Sequence, residues 1–378
     1  MARNLAIFLS DTVEDYVRNG LSSIIHDYFN PKNFFDNVYV LSSSEKSAYQ
    51  MEGLNIIPTQ PEEIVNRLKE LKIDIVRAYS GKGACELACS HKVRGVPVIV
   101  SIHDSRKDWL RSSIKRADCV FVVSESVQEL VEELFSKKDM IWVLPNRIDL
   151  SIMKTLPAES YGDLEKEFPF KYKILQIGRK SREKNIETLI KAIAQLPDEY
   201  CLIAVGDGDS SYLQKLAREL SVEKRCFFRN AIAHTEISRY MSFSDCVCQP
   251  SLTEAMSFAA IESLACGAVI IASSMAARGA DIIDNYNGLL TDEPQDEQKL
   301  AILIEQACTD TELRTRLKVN AVQSAQKFSK DIIDALEISY YEKILAMRDS
   351  GAFDIPLISH LREKVQIWFE THLHKDNK

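Results

Sequence analysis

Short apolar runs alternate along this chain with segments whose apolar positions repeat at helical spacing. In the first part the runs fall at residues 5–9, 37–41, 73–78, 97–101, 119–123 and 141–144. Such runs, separated by helix-length segments, predict a parallel sheet covered by helices. The pattern breaks at Pro145-Asn146-Arg147, and the stretch beyond it sets Pro157, Gly162 and Pro169 among charges. A second series then occupies residues 174–177, 201–205, 226–228, 246–249, 269–272 and 289–290. Two α/β halves are therefore expected at 1–150 and 173–328, with a linker at 151–172. A helix-like segment follows at 329–347, and the tail at 348–378 is left unassigned.

The densest chemistry lies in residues 245–273. The apolar run before Pro250 is strand-like, Ser251-x-x-Glu254 resembles a helix start, and Gly267 ends the helix before the apolar run 268–272. A helix opening at a strand's carboxyl end turns unpaired N–H groups toward the crevice where such sheets bind ligands. Glu254 is expected beside that positive end, and Glu262 up to about 12 Å along the helix. A carboxylate accepts two hydroxyl bonds, so one acid suits a sugar and the other a ribose. In a chain with 55 acidic residues such a pair also arises by chance, as two solvated acids on a surface helix.

Gly178-Arg179-Lys180-Ser181-Arg182-Glu183-Lys184-Asn185 follows the first strand of the second series and opens a helix. Arg179 offers a planar fork for phosphate and Lys184 a mobile point charge. Cations are disfavoured at a helix N-terminus, which makes a bound anion the better explanation of this turn. Asp207-Gly208-Asp209 has the spacing of a metal-binding acid pair, but it reads as the turn after the 201–205 strand, with no further oxygen ligands nearby. His103 ends another buried run, where it serves either as a satisfied structural histidine or as a site group. The basic stretch 106–116 with Trp109 fits an anionic acceptor, lipid headgroups or a solvated helix face.

Net charge is −8, which leaves no broad basic field for nucleic acid. The nine cysteines are scattered, and Cys246 and Cys248 share one strand face, as reduced core residues would. No run of 18 apolar residues occurs. The expectation is a cytosolic protein, with peripheral membrane contact compatible with it.

On these residues the chain resembles the retaining GT-B glycosyltransferases of family 4. The resemblance rests on the Glu254, seven residues, Glu262 spacing and on Gly178-Arg179, four residues, Lys184. The first half adds the strand ending in His103, Ala117-Asp118 to Ser124-Glu125, and Val143-Leu144-Pro145-Asn146-Arg147-Ile148-Asp149. The likeness runs from about residue 78 to about 345 and implies two Rossmann-like domains facing across a cleft, with a C-terminal helix returning to the first. It implies a hexosyltransferase-type enzyme that moves a sugar from a nucleotide-diphosphate sugar to an acceptor hydroxyl, with retention and without a metal. No cofactor is implied beyond the nucleotide sugar as co-substrate, and a UDP-sugar is favoured over a GDP-sugar.

By this resemblance Arg179 and Lys184 bind the diphosphate, Glu254 the transferred sugar and Glu262 the ribose. Gly178 and the backbone amides of Ala255, Met256, Ser257 and Phe258 approach the donor, and His103 takes a catalytic place. The base is expected near residues 229–232. Three departures stand out. Arg147 replaces a glycine, acids occupy 11–15 where many members are glycine-rich, and Ala255-Met256-Ser257 replaces Gly-Phe-Gly. The acceptor class stays open among a saccharide, a lipid-linked saccharide and a protein, in surface glycan or glycoconjugate synthesis. A GT-B epimerase or phosphorylase and a noncatalytic partner subunit are the alternatives.

Overall fold

The computed structural model describes residues 2–18 and 22–354. The tail assigned no role above lies outside the described residues from 355 onward. The described residues form two compact units: those within 2–122, 127–144 and 334–354 make the first, and residues 123–126 and 145–333 the second.

Among the described residues the first unit builds an eight-stranded sheet. Its strands are β1 (Asn4–Leu9), β2 (Asn37–Ser42), β3 (Tyr49–Met51), β4 (Leu54–Pro58), β5 (Ile75–Tyr79), β6 (Val98–Ile102), β7 (Cys119–Val122) and β8 (Ile141–Val143). Their order is β3-β4-β2-β1-β5-β6-β7-β8. All neighbours are parallel except β3 and β4. These two form a hairpin absent from the expected strands, turning through Glu52 and Gly53, both at positive φ. The three residues of β3, with Gln50 at their centre, are too short to stand out as an apolar run. Central strands are buried on both faces, as in β1, where Leu5, Ala6, Ile7 and Phe8 are at most 1 % exposed.

Arg77 on β5 is a charged residue within this core, being 2 % exposed. Its guanidinium pairs with Glu337 and bonds the Tyr341 hydroxyl, while Nε donates to Ser101 Oγ at 2.8 Å. Glu337 and Tyr341 belong to the helix Lys330–Asp349, whose residues from Asp334 onward pack in the first unit. Tyr341 also stacks on Phe34, and the Tyr340 hydroxyl donates to the Val143 carbonyl at 3.0 Å. The expected C-terminal helix is thus held to the first sheet by polar bonds at its centre.

The second unit carries β9 (Tyr172–Ile177), β10 (Tyr200–Val205), β11 (Cys226–Arg229), β12 (Cys246–Gln249), β13 (Ile270–Ser273) and β14 (Leu289–Thr291). They form an all-parallel sheet in the order β11-β10-β9-β12-β13-β14. From β9 the chain first builds outward through β10 and β11, then crosses to β12 on the other side. Ligands of such sheets bind beyond the carboxyl ends of the strands at this switch point, between β9 and β12. Cys246 and Cys248 lie in the core with Ile174, Leu202 and Val269, and all nine cysteines are buried free thiols. The stretch expected to be irregular contains the helix Gly162–Glu167, and Phe168 after it is fully buried against Phe227 and Phe243.

Candidate active site

Two loops meet at the switch point of the second unit, one after β9 and one after β12. The β9 loop begins at Gly178, which runs at φ +150° beside Gly206, also at φ +150°, from the loop after β10. A Cβ on Gly206 would overlap the Gly178 carbonyl, so glycine alone permits this crossing. Lys180, 6 % exposed, ties the loops further by donating Nζ to the carbonyls of Gly206 and Arg229. Burial lowers its pKa from the ordinary lysine value. Asn185, in the left-handed region at φ 54°, donates to the carbonyls of Pro250 at 3.1 Å and Pro294 at 2.6 Å.

The loop after β12 corrects one expectation. Ser251 to Glu254 does not start a helix: residues 250–257 are a loop, and the helix is Phe258–Ala265. A capping box needs the glutamate to return to the backbone of the capping serine. Here Glu254 Oε1 instead accepts from the Ser251 hydroxyl at 3.1 Å and pairs with Lys184 Nζ. The Leu252 N–H is drawn to the Glu183 carbonyl at 2.8 Å, holding the loop against the β9 turn. Ser257 is the true cap, accepting from the Ala260 N–H at 3.3 Å. Glu254 therefore lies in a loop four residues before the helix, while Glu262 lies within it.

Lys184 and Glu254, 16 % and 11 % exposed at their side chains, form the charged centre of this site. The first-turn N–H groups of Phe258 and Ala259 lie outside the helix's own bonding pattern and add positive potential at its start. Ala255, Met256 and Ser257 are buried, whereas Phe258 is 47 % exposed. The Ala255 carbonyl accepts from Ser124 Oγ at 2.7 Å, and Met256 Sδ takes the Asn146 N–H at 3.1 Å. The structure does not draw Arg179 into this cluster; it projects to solvent with Glu183 at 3.8 Å.

Glu262 is 3 % exposed, and its Oε1 lies 2.7 Å from Nε2 of His234. Sequence reasoning missed His234, which sits on the turn His234–Glu236 just past the loop after β11. Only its position two residues beyond residues 229–232 hinted at it. The hydrogen bond to Glu262 raises the His234 pKa above 6.5, with the charges of Glu262 and Asp149 adding to this and burial opposing it. The pair therefore stabilises the fold fully below the ordinary histidine pKa and loses that contribution as pH rises through the raised value. His234→Gln is expected to lower the melting temperature more at about pH 5.5 than at about pH 9. Equal losses in thermal melts at the two pH values would contradict this.

In the first unit His103 directly follows β6, is exposed, and lies parallel to Tyr79 with ring centroids 6.3 Å apart. Residues 106–116 form two short 3₁₀ turns, Lys107–Trp109 and Ser112–Arg116. Trp109 is flanked by Lys82 Nζ at 3.7 Å and Arg106 Cζ at 3.9 Å from its ring centre. Of the acids at 11–15, Asp15 lies in the first turn of the helix Val13–Arg18 and has a structural task, since its Oδ2 accepts from Oγ1 of Thr12, the residue before the helix, at 2.7 Å. Asp209 is likewise engaged, accepting from the Ser211 N–H at 2.9 Å and hydroxyl at 2.6 Å. Among the described residues no group of three His, Cys, Asp or Glu side chains is arranged to hold a metal ion. No helix among them is long and apolar enough to cross a membrane.

Two family models match the chain in tandem. Residues 11–152 match Glycosyltransferase Family 4, and residues 165–324 match Glycosyl transferases group 1. The chain belongs to the family 4 glycosyltransferases. This enzyme is 24 % identical over 336 residues to an uncharacterized glycosyltransferase of Methanocaldococcus jannaschii, covering 84 % of each chain. It is 26 % identical over 275 residues to a lipopolysaccharide core biosynthesis glycosyltransferase of Rhizobium meliloti, covering 72 % of this chain and 77 % of the relative. Its fold is similar to the crystal structure of HepE of Anabaena in complex with UDP, with a TM-score of 0.74 and 19 % identity over 90 % of this chain and 100 % of that one. The architecture is GT-B, and the enzyme is a glycosyltransferase that uses a nucleotide sugar.

Proposed function

We propose that the switch-point loops of the second unit bind a nucleotide-diphosphate sugar and that the enzyme transfers its sugar to an acceptor hydroxyl with retention of configuration. The observation that carries this reading is the Lys184–Glu254 pair held ahead of the helix Phe258–Ala265, with Glu262 buried further along that helix. Glu254 accepts hydroxyls of the transferred sugar, and Glu262 accepts those of the ribose. Lys184, Arg179 and the first-turn N–H groups stabilise the charge that grows on the leaving diphosphate. Arg179 swings in from solvent to reach it, as its exposure permits. A departing phosphate oxygen takes the acceptor proton on the same face, so neither a covalent nucleophile nor a metal enters the scheme.

UDP is the first nucleotide to test, supported by the UDP held in the Anabaena structure. A saccharide acceptor in glycan or glycoconjugate synthesis is supported by the lipopolysaccharide relative, and the expected place of action is the cytoplasm. Selective thermal stabilisation by one of UDP, GDP, ADP and CMP is the expected result, unchanged by magnesium and lost in Glu262→Ala. A ligand at a hundredfold its Kd contributes about 2.7 kcal/mol, enough to read as a clear shift. No stabilisation by any of the four would overturn the donor-site assignment.

A further inference from the structure

We infer that His234 is a positioning residue for nucleoside recognition, holding the Glu262 carboxylate in the orientation that reads the ribose hydroxyls. The inference rests on the proposed role of Glu262 as ribose ligand and extends it to a residue outside the Glu254 and Glu262 pair.

Glu262 is 3 % exposed on a helix whose neighbouring positions Ala259, Ala260, Ile261, Ser263 and Leu264 are all buried. A carboxylate in such surroundings needs donors of its own, because water reaches it poorly. His234 Nε2 supplies one at 2.7 Å, from an element 28 residues earlier in the chain. The contact joins the segment after β11 to the helix after β12. These are the two places at which a nucleoside would be gripped, by its base near residues 229–232 and by its ribose at Glu262. Binding Oε1 to the imidazole fixes the plane of the carboxylate and leaves the other oxygen with a defined direction. Carboxylate plane and reach both matter for a ribose, because its two vicinal hydroxyls must meet the acid together.

The charged groups that act on the imidazole are Glu262 and Asp149. Both favour its protonated form, which strengthens the bond to the carboxylate. The histidine side chain remains 32 % exposed on a three-residue turn, so shortening it leaves no large core cavity.

The test compares binding of UDP and 2′-deoxy-UDP, with GDP and 2′-deoxy-GDP in parallel, to wild type, His234→Ala, His234→Gln and Glu262→Ala. Wild type is expected to prefer the ribonucleotide by roughly ten- to hundredfold, the range of a hydrogen bond to a charged group. His234→Ala should reduce that preference to within about threefold and raise the donor KM, with kcat at saturating donor nearly kept. His234→Gln restores a donor without a titrating ring and should recover most of the preference. Undiminished ribose preference in His234→Ala would overturn the inference, as would failure of glutamine to restore it while the protein is folded. If His234→Ala fails to fold, His234→Asn, whose shorter amide falls short of Glu262, must lose the preference that His234→Gln keeps. A ribose preference that survives in Glu262→Ala would instead remove the ribose role of Glu262, and with it the basis of this inference.

Discussion

Lys184→Ala is expected to lower kcat/KM for sugar transfer by about a hundred- to a thousandfold, the usual effect of removing one preorganised group from a developing anion. The reason lies in where the ammonium is held. Its stem packs beside Gly178, and its Nζ is fixed on Glu254 Oε1, which also takes the Ser251 hydroxyl. A cation in that place needs little reorganisation as the diphosphate departs, and poor water access strengthens its field. Glu254→Ala should cause a comparable loss by removing both the sugar ligand and the group that aims Lys184. The double variant should be little worse than either single one, because residues that act as a unit are not additive. Lys184→Arg should restore little, since the planar fork cannot occupy a point-charge position. Initial rates with purified, folded variants decide the matter, and full activity in either single variant would sink the assignment.

Glu337→Ala is expected to destabilise the first unit by about 3–5 kcal/mol, the cost of leaving a buried charge without its partner. Arg77 is 2 % exposed and Glu337 is fully buried, so neither can turn to water. The Tyr341 hydroxyl and Ser101 Oγ would remain as partners of Arg77, but both are neutral. At roughly 2–4 °C per kcal/mol for a unit of this size, the melting temperature should fall by roughly 6–20 °C. Arg77→Met with Glu337→Leu should recover most of the loss, because an apolar replacement removes the desolvation penalty as well as the attraction. Denaturant melts of the three proteins test this. A loss under about 1 kcal/mol in Glu337→Ala would show that the pair carries no more than a surface ion pair.

Much of the candidate site was legible in the chain. Gly178, Arg179, Lys184, Glu254 and Glu262 stand at spacings that carry the family resemblance, and the structure places Lys184 and Glu254 in contact. The helix start was misread because Ser251 and Glu254 have the composition of a capping box, while their partners come from elsewhere. Lys184 claims the acid and Glu183 the Leu252 amide, contacts that no local pattern announces. His234 was invisible for the same reason, since a histidine on a polar turn has no periodicity to mark it.

The strand series apart from the β3–β4 hairpin, the break near Pro145 and the turn that follows β9 were determined by the sequence alone. Each depends on residues within a few positions of one another, through side-chain alternation, helical period and turn chemistry. The Lys184–Glu254, His234–Glu262 and Arg77–Glu337 pairs were decided only by tertiary structure, across 70, 28 and 260 residues. Local periodicity predicts that β9 and β12 exist, but not that crossover order sets them side by side. That adjacency brings their carboxyl-end loops together and makes a charged site of residues that are distant in the chain.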